Sequence, residues 1–214
     1  MRVGRNPALW LCPALAAAAL WALAPALGAT PIGDAVTLFG QRRYAEAKAI
    51  LAPLAASEPS NAEASYYLGM AFLRLGGPAS LDSSRLWLGR ALKIAPDNEG
   101  YLADYAGVCL LMADRDSSFS LALEGRDAMA RAVAANPGDL GACEGLMRFY
   151  AKAPWPLGNA GRALALAAQI ARANPRRGLA AYRSIQATFE GSGRADDARA
   201  ASQAAQSLAQ DHPQ

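Results

Sequence analysis

One stretch of the chain, residues 62–98, constrains the possible folds more than any other. Its first half places apolar residues at helical spacing and ends at Gly76-Gly77, and its second half does the same and ends before Pro96. A hairpin of two such amphipathic helices cannot bury its own apolar face. The stretch therefore predicts a helical hairpin that stacks on similar neighbours.

The residues that define this hairpin follow a recognisable spacing. A Leu-Gly pair and an aromatic residue on the first helix precede a small residue, a large apolar residue, an Ala-Leu pair and a closing proline: Leu68, Gly69, Phe72, Ser84, Leu88, Ala91, Leu92 and Pro96. This order resembles the tetratricopeptide repeat (TPR), with serine at position 84 where the family has alanine. The resemblance implies a TPR-like solenoid whose first helices line a groove for a protein or peptide partner.

Proline marks the boundaries of the other hairpins. Because proline cannot continue a helix, each one separates a second helix from the next hairpin. The five hairpins predicted in this way span residues 34–59, 62–98, 99–137, 140–175 and 178–210. The very low content of β-branched residues leaves no candidate strand, so the sequence predicts an all-α fold. The intervals exceed the ~34 residues of the repeat, and we expect the excess in the turns, above all in the polar segment 113–120.

Residues 1–29 have the composition of a secretory signal peptide. Two arginines precede a long uncharged apolar run, and small residues follow it, which predicts cleavage after Gly28 or Ala29 and a repeat domain over residues 30–214. The alternative is an uncleaved membrane anchor, since the apolar run approaches the ~20 residues needed to span a bilayer. Its two prolines and its many alanines favour the signal peptide. We therefore expect an exported protein of the periplasm, with no membrane span after cleavage.

Charge and composition argue against two classes of function. The net charge is +3, and loss of the two arginines in the predicted signal peptide would lower it to +1, without a clustered basic stripe for nucleic acid. The one histidine, His212, lies in the tail, so a cysteine or serine nucleophile would lack a placed imidazole base. The sequence predicts a non-catalytic protein without a cofactor.

Two cysteines and an acidic segment are weaker candidates for a site. Cys109 and Cys143 lack the spacing of metal ligands, and we expect them to be small buried apolar residues on first helices. An oxidising compartment would permit a disulfide between them, but we expect them at different heights on parallel helices. Residues 114–116 form either a cation-binding loop or a solvated turn.

The resemblance to the repeat family assigns the partner to the groove. The positions that face the groove in that family fall on Tyr66, Met70, Arg74, Leu110, Glu144, Arg148, Lys152, Tyr182 and Gln186. Glu144, Arg148 and Lys152 share one helix face. They form either a polar strip for the acidic group of a peptide or an ion-paired stripe in solvent.

One turn is unusual in composition. Trp155 lies between two prolines in the segment 153–159. It is either an aromatic contact for a partner or part of a rigid turn in which the tryptophan folds back on the adjacent helix. We expect the second arrangement.

These observations predict a binding scaffold of the bacterial cell envelope that offers a concave helical surface to a protein or peptide. The alternative is a self-associating structural adaptor, or an accessory subunit of an envelope complex. The polar final helix over residues 194–210 argues against self-association through the C-terminal end, because a polar helix caps a stack. An enzyme is the third hypothesis. The sequence does not predict the oligomeric state.

Overall fold

The computed structural model describes residues 30–77 and 79–212, and this part of the chain contains ten α-helices and no strand. The helices are α1 (Pro31–Gly40), α2 (Tyr44–Ser57), α3 (Ala62–Leu75), α4 (Ser80–Ile94), α5 (Glu99–Asp116), α6 (Phe119–Ala135), α7 (Leu140–Lys152), α8 (Ala160–Ala173), α9 (Pro175–Gly191) and α10 (Ala195–Asp211). The predicted signal peptide at residues 1–29 lies outside the described residues. None of the described helices is both long enough and apolar enough to cross a bilayer.

The helices pack as five sequential hairpins, α1–α2, α3–α4, α5–α6, α7–α8 and α9–α10. The most extensive packing joins helices that are neighbours along the chain. Several local clusters form the apolar interior: one centres on Leu51 and Leu68, a second on Leu88 and Val108, and the largest joins the last three hairpins. The prediction of an all-α fold built from stacked hairpins is confirmed.

Polar caps explain where the hairpins begin. The first helix of every hairpin after the first has a side chain that accepts hydrogen bonds from the backbone N–H groups of its first turn; the four capping residues are Asn61, Asn98, Asp139 and Asn174. A proline lies two residues before the first three caps and directly after the fourth. The first three prolines follow the end of one helix and precede the cap of the next, whereas Pro175 is itself the first residue of α9. Proline and cap together fix the hairpin boundaries more sharply than proline alone.

The third hairpin differs from its prediction. Helix α5 continues to Asp116, and only Ser117 and Ser118 separate it from α6. Ser117 adopts the left-handed conformation and the Ser118 hydroxyl caps α6. The predicted turn over residues 113–120 is therefore wrong, because the extra length of this hairpin lies in its helices, of 18 and 17 residues.

Small residues allow close approach at two helix crossings. A Cβ atom added to Gly69 on α3 would lie 3.0 Å from the backbone nitrogen of Leu88 on α4. A Cβ atom added to Gly178 on α9 would lie 2.3 Å from the Cα atom of Ala171 on α8. At both crossings the glycine lets the helix backbones pack closer than any side chain would permit.

Candidate functional site

The five first helices, α1, α3, α5, α7 and α9, are connected by side-chain contacts from each to the next. Four contacts form this series: the Phe39 and Tyr67 rings (5.3 Å between centroids), the Tyr66 hydroxyl and Asp104 Oδ2 (2.6 Å), Asp114 Oδ2 and Lys152 Nζ (2.9 Å), and Glu144 Oε1 and Arg177 Nε (2.9 Å). We call the surface formed by these helices the first-helix wall. It contains most of the positions that the sequence assigned to a groove.

The α3–α5 part of the wall holds a half-buried polar pair. The Tyr66 hydroxyl donates to Asp104 Oδ2, and the Tyr66 ring stacks on Tyr101 at 4.4 Å between centroids. Burial raises the pKa of the Asp104 carboxyl, against the opposing effects of the Tyr66 hydrogen bond and the positive charge of Arg74. Burial, followed by the hydrogen bond to Asp104, also raises the pKa of the Tyr66 hydroxyl. The sequence pointed to Tyr66 but not to its acidic partner, since the two lie 38 residues apart.

The charged residues of α7 form ion pairs across the wall rather than along their own helix. Glu144 pairs with Arg177 on α9, and Lys152 pairs with Asp114 on α5. Arg148 lies between them on α7, is exposed, and makes no hydrogen bond or ion pair with the described residues. Two residues of the predicted strip are thus ion-paired with neighbouring helices, and the third is exposed and unpaired among the described residues.

The other predicted groove residues differ in accessibility. Met70 is 4% exposed and packs against Leu88 and Val108, while Tyr182 is 8% exposed and lies between α8 and α10. Met70 therefore belongs to the apolar interior, whereas the largely buried Tyr182 also lines a pocket between α8 and α10. Arg74 is exposed, and Gln186 donates to Glu190 Oε1 on its own helix.

A cleft of about 640 Å³ opens between α5, α6, α7 and the α7–α8 loop. Its lining is mainly apolar and includes Leu110, Leu111, Phe119, Phe149, Leu157, Asp114, Arg148 and Lys152. We call it the α5–α7 cleft. The sequence pointed to Leu110, Arg148 and Lys152 but missed Phe119, because that residue fell within a predicted polar turn and is in fact the first residue of α6.

The α7–α8 loop places Trp155 in solvent. Its side chain is 91% exposed, whereas Leu157 is buried and lines the α5–α7 cleft. The expectation that Trp155 folds back on the adjacent helix is wrong, because Leu157 fills that role. The loop is held by hydrogen bonds from the backbone N–H groups of Leu157 and Gly158 to the carbonyl of Pro154.

The two cysteines and the acidic segment 114–116 form neither a disulfide nor a metal site in the part of the chain that the structure describes. Cys109 and Cys143 are both buried and both free, and burial raises the pKa of each thiol. No cluster of three potential metal ligands occurs within residues 30–77 and 79–212. The carboxylates of Asp114 and Asp116, which the sequence placed in a loop, lie in the last turn of α5 and pair with Lys152 and Arg115.

The arrangement of hairpins is found in solved structures. The chain aligns with the structure of MamA residues 41–end from Desulfovibrio magneticus RS-1 at a TM-score of 0.65, with 16% identity over 86% of this chain and 96% of that one. It aligns with YrrB, described as "a TPR protein with an unusual peptide-binding site", at a TM-score of 0.66, with 18% identity over 85% of this chain and 86% of that one. The fold is TPR-like.

A third similarity is to part of an enzyme. An O-GlcNAc transferase from Thermobaculum terrenum aligns at a TM-score of 0.56 and 18% identity, over 66% of this chain but only 25% of the transferase. At these identities the TPR-like similarity concerns the fold alone. No protein-family model and no curated protein matches the sequence.

Proposed function

We propose that this TPR-like chain is a protein- or peptide-binding scaffold that acts without catalysis. The observation that carries the proposal is the first-helix wall, in which side chains join α1, α3, α5, α7 and α9 into one surface. Exposed side chains such as Arg74 and Arg148 remain on this surface without hydrogen-bond partners among the described residues. A surface of this kind in a stacked-hairpin protein presents an extended area for recognition.

Two further observations support a binding role. Large apolar side chains are exposed beside the wall at Leu111, Phe119 and Trp155, and such patches mark interaction surfaces on soluble proteins. YrrB, which has the same fold, is described as having a peptide-binding site.

The only histidine is exposed at the end of α10, which provides no base for a nucleophile on the wall.

Site-specific photocrosslinking in the producing cells tests which surface binds the partner. A photoreactive residue is introduced at Arg74 or Arg148 on the wall, and at Leu86 on α4 or Arg199 on α10 as matched exposed controls. We expect discrete adducts from the wall positions and none from the two controls, with the captured protein identified by mass spectrometry. Adducts from the second-helix positions alone would refute the assignment of the binding surface.

We also propose that the scaffold works in the cell envelope after cleavage of its N-terminal segment at Gly28 or Ala29. Support comes from the basic start, apolar run and small residues of that segment. Mass spectrometry of the protein isolated from producing cells tests this directly. We expect a mature N-terminus at Ala29 or Thr30. An intact N-terminus in a protein recovered from the cytoplasmic fraction would contradict the proposal.

A further inference from the structure

We propose that the α5–α7 cleft binds a short peptide segment in which large apolar side chains lie next to a carboxylate. This inference rests on the proposed scaffold function and specifies where the partner binds and what chemistry it carries. Three properties of the cleft support it: an exposed apolar rim, an open interior and an uncompensated positive charge.

The apolar rim is the first property. Among the described residues, six large hydrophobic side chains are exposed: Leu75, Leu86, Ile94, Leu111, Phe119 and Trp155. Leu111, at 52% exposure, and Phe119, at 56%, line the cleft, and Trp155 lies in the loop that closes one side of it. Two of the six exposed hydrophobic side chains thus line one opening, and a third lies in the adjoining loop. Aromatic and large apolar anchors of this kind supply most of the energy in protein–peptide binding.

The open interior is the second property. At about 640 Å³ the cleft falls within the range of roughly 300–1,000 Å³ typical of ligand pockets. Gly107 lines it, and a Cβ atom added there would meet no other atom within 4 Å, so the space above α5 is empty. Apolar side chains of a bound segment can therefore enter the cleft between Leu110 and Phe149 without displacing its lining.

The charge is the third property. Three charged residues line the cleft, and two of them, Asp114 and Lys152, pair with each other at 2.9 Å. Arg148 keeps its charge without an ion pair among the described residues. A guanidinium group can donate two parallel hydrogen bonds to one carboxylate, and this geometry makes arginine selective for that group. The cleft as a whole therefore carries one positive charge and complements an acidic segment.

The same charge argues against the chain's own N-terminal segment as the ligand. Residues 1–29 are apolar enough to enter a cleft, but they contain two arginines and no aspartate or glutamate. Like charges would face each other at Arg148. An acidic segment from another protein is the better complement.

A peptide array tests the proposal. The full chain is probed against an array of short random peptides, and bound sequences are compared among wild type, Phe119→Ser and Arg148→Glu. Leu86→Ser, which removes an exposed hydrophobic side chain from α4, and Arg183→Glu, which reverses an exposed unpaired arginine on α9, are the matched controls. Circular dichroism confirms that each variant is folded.

We expect wild-type binders to be enriched in large apolar residues adjacent to aspartate or glutamate. Phe119→Ser should weaken binding at least about tenfold, because it removes an anchor of the cleft. Arg148→Glu should shift the enrichment from acidic to basic peptides, a change that loss of folding would not produce. The two controls should bind as the wild type does.

The outcomes separate this inference from the proposed function. Peptide binding that Phe119→Ser and Arg148→Glu leave unchanged would overturn the cleft assignment while the scaffold function stands. The absence of any bound peptide would overturn this inference, and the scaffold function would then stand or fall with the photocrosslinking at Arg74 and Arg148. A dimer that Phe119→Ser converts to a monomer in size-exclusion chromatography would assign the cleft to a second copy of the chain and overturn the peptide proposal.

Discussion

At the scale of single residues, burial depends on the helix face that a side chain occupies and on the neighbouring helix that covers that face. The burial of Leu68 and Gly69 could be predicted from helical spacing, because the spacing itself determines which face of the helix points inward. Met70 and Tyr182 were assigned to the groove, yet both are buried, since the angle at which the next helix crosses decides accessibility. Trp155 was expected to fold back on the adjacent helix but is exposed, and Leu157 is buried instead, in a turn where no periodicity guides prediction.

Two glycines give a matched test of the close helix crossings. Gly178→Ala should destabilise the protein by about 3 kcal/mol, because the new methyl group would overlap the backbone of Ala171 and force α8 and α9 apart. Gly107→Ala should stabilise it by about 1 kcal/mol, since alanine favours helix and meets no atom there. Chemical denaturation measures both. Equal stabilities of the two variants would contradict the packing described here.

The half-buried carboxyl of Asp104 predicts a particular pH dependence. Burial raises the pKa of the Asp104 carboxyl in the folded chain, so the folded state holds the carboxyl proton at a pH where the unfolded state has lost it. As the pH rises further, the folded state must give up this proton, and the free energy of unfolding falls. Asp104→Asn retains an acceptor for the Tyr66 hydroxyl without the charge. The stability of this variant relative to wild type should rise as the pH increases above about 3.9, the ordinary value of an aspartate. Thermal unfolding across pH 3–8 tests this, and a pH-independent difference would refute it.

At the scale of elements, the sequence predicted helix pairs well and helix lengths less well. Helix α5 runs through the segment 113–116, although three of its four residues are charged, because tertiary packing stabilises a helix as much as its local sequence does. Helix α7 contributes to this packing by supplying Lys152 as a partner for Asp114. The contacts of the first-helix wall were not predictable, since each joins residues on helices whose rotation about their axes is set by tertiary packing.

One network connects the second and third hairpins. Arg85 on α4 donates to both carboxylate oxygens of Glu124 on α6, at 3.0 and 2.7 Å, and the Tyr105 hydroxyl on α5 donates to the same carboxylate. Burial opposes ionisation of Glu124, but the hydrogen bonds from Tyr105 and Arg85 prevail and lower its pKa. The network is therefore charged at neutral pH and holds three helices together.

A double-mutant cycle with Arg85→Met and Glu124→Gln measures this connection. We expect a coupling free energy of about 1 kcal/mol at neutral pH. Because the pKa of Glu124 is lower in the folded chain, its contribution is complete above the ordinary glutamate value of about 4.3 and declines as the pH falls below it. The exposed pair between Arg43, which directly precedes α2, and Glu46 in its first turn is the control, with no measurable coupling expected. Equal coupling in the two pairs would contradict a structural role for the network.

At the scale of the whole molecule, the fold follows from one requirement: short amphipathic helices bury their apolar faces only by packing on their neighbours along the chain. Residues 62–98 contain enough of the repeat pattern to predict the TPR-like fold, and the proline and cap residues extend it along the chain. The α5–α7 cleft was not predicted, because it arises where the third and fourth hairpins meet and no single segment encodes it. The stack thus forms the first-helix wall, and differences between hairpins form the α5–α7 cleft.

Amide hydrogen exchange, measured with and without an acidic apolar peptide selected on the array, tests the central claim most directly. We predict slower exchange in α5, in the first turns of α6 and in α7 when the peptide is bound, with α2, α4, α8 and α10 unchanged. Protection of the second helices alone, or binding that protects none of the first helices, would contradict the account.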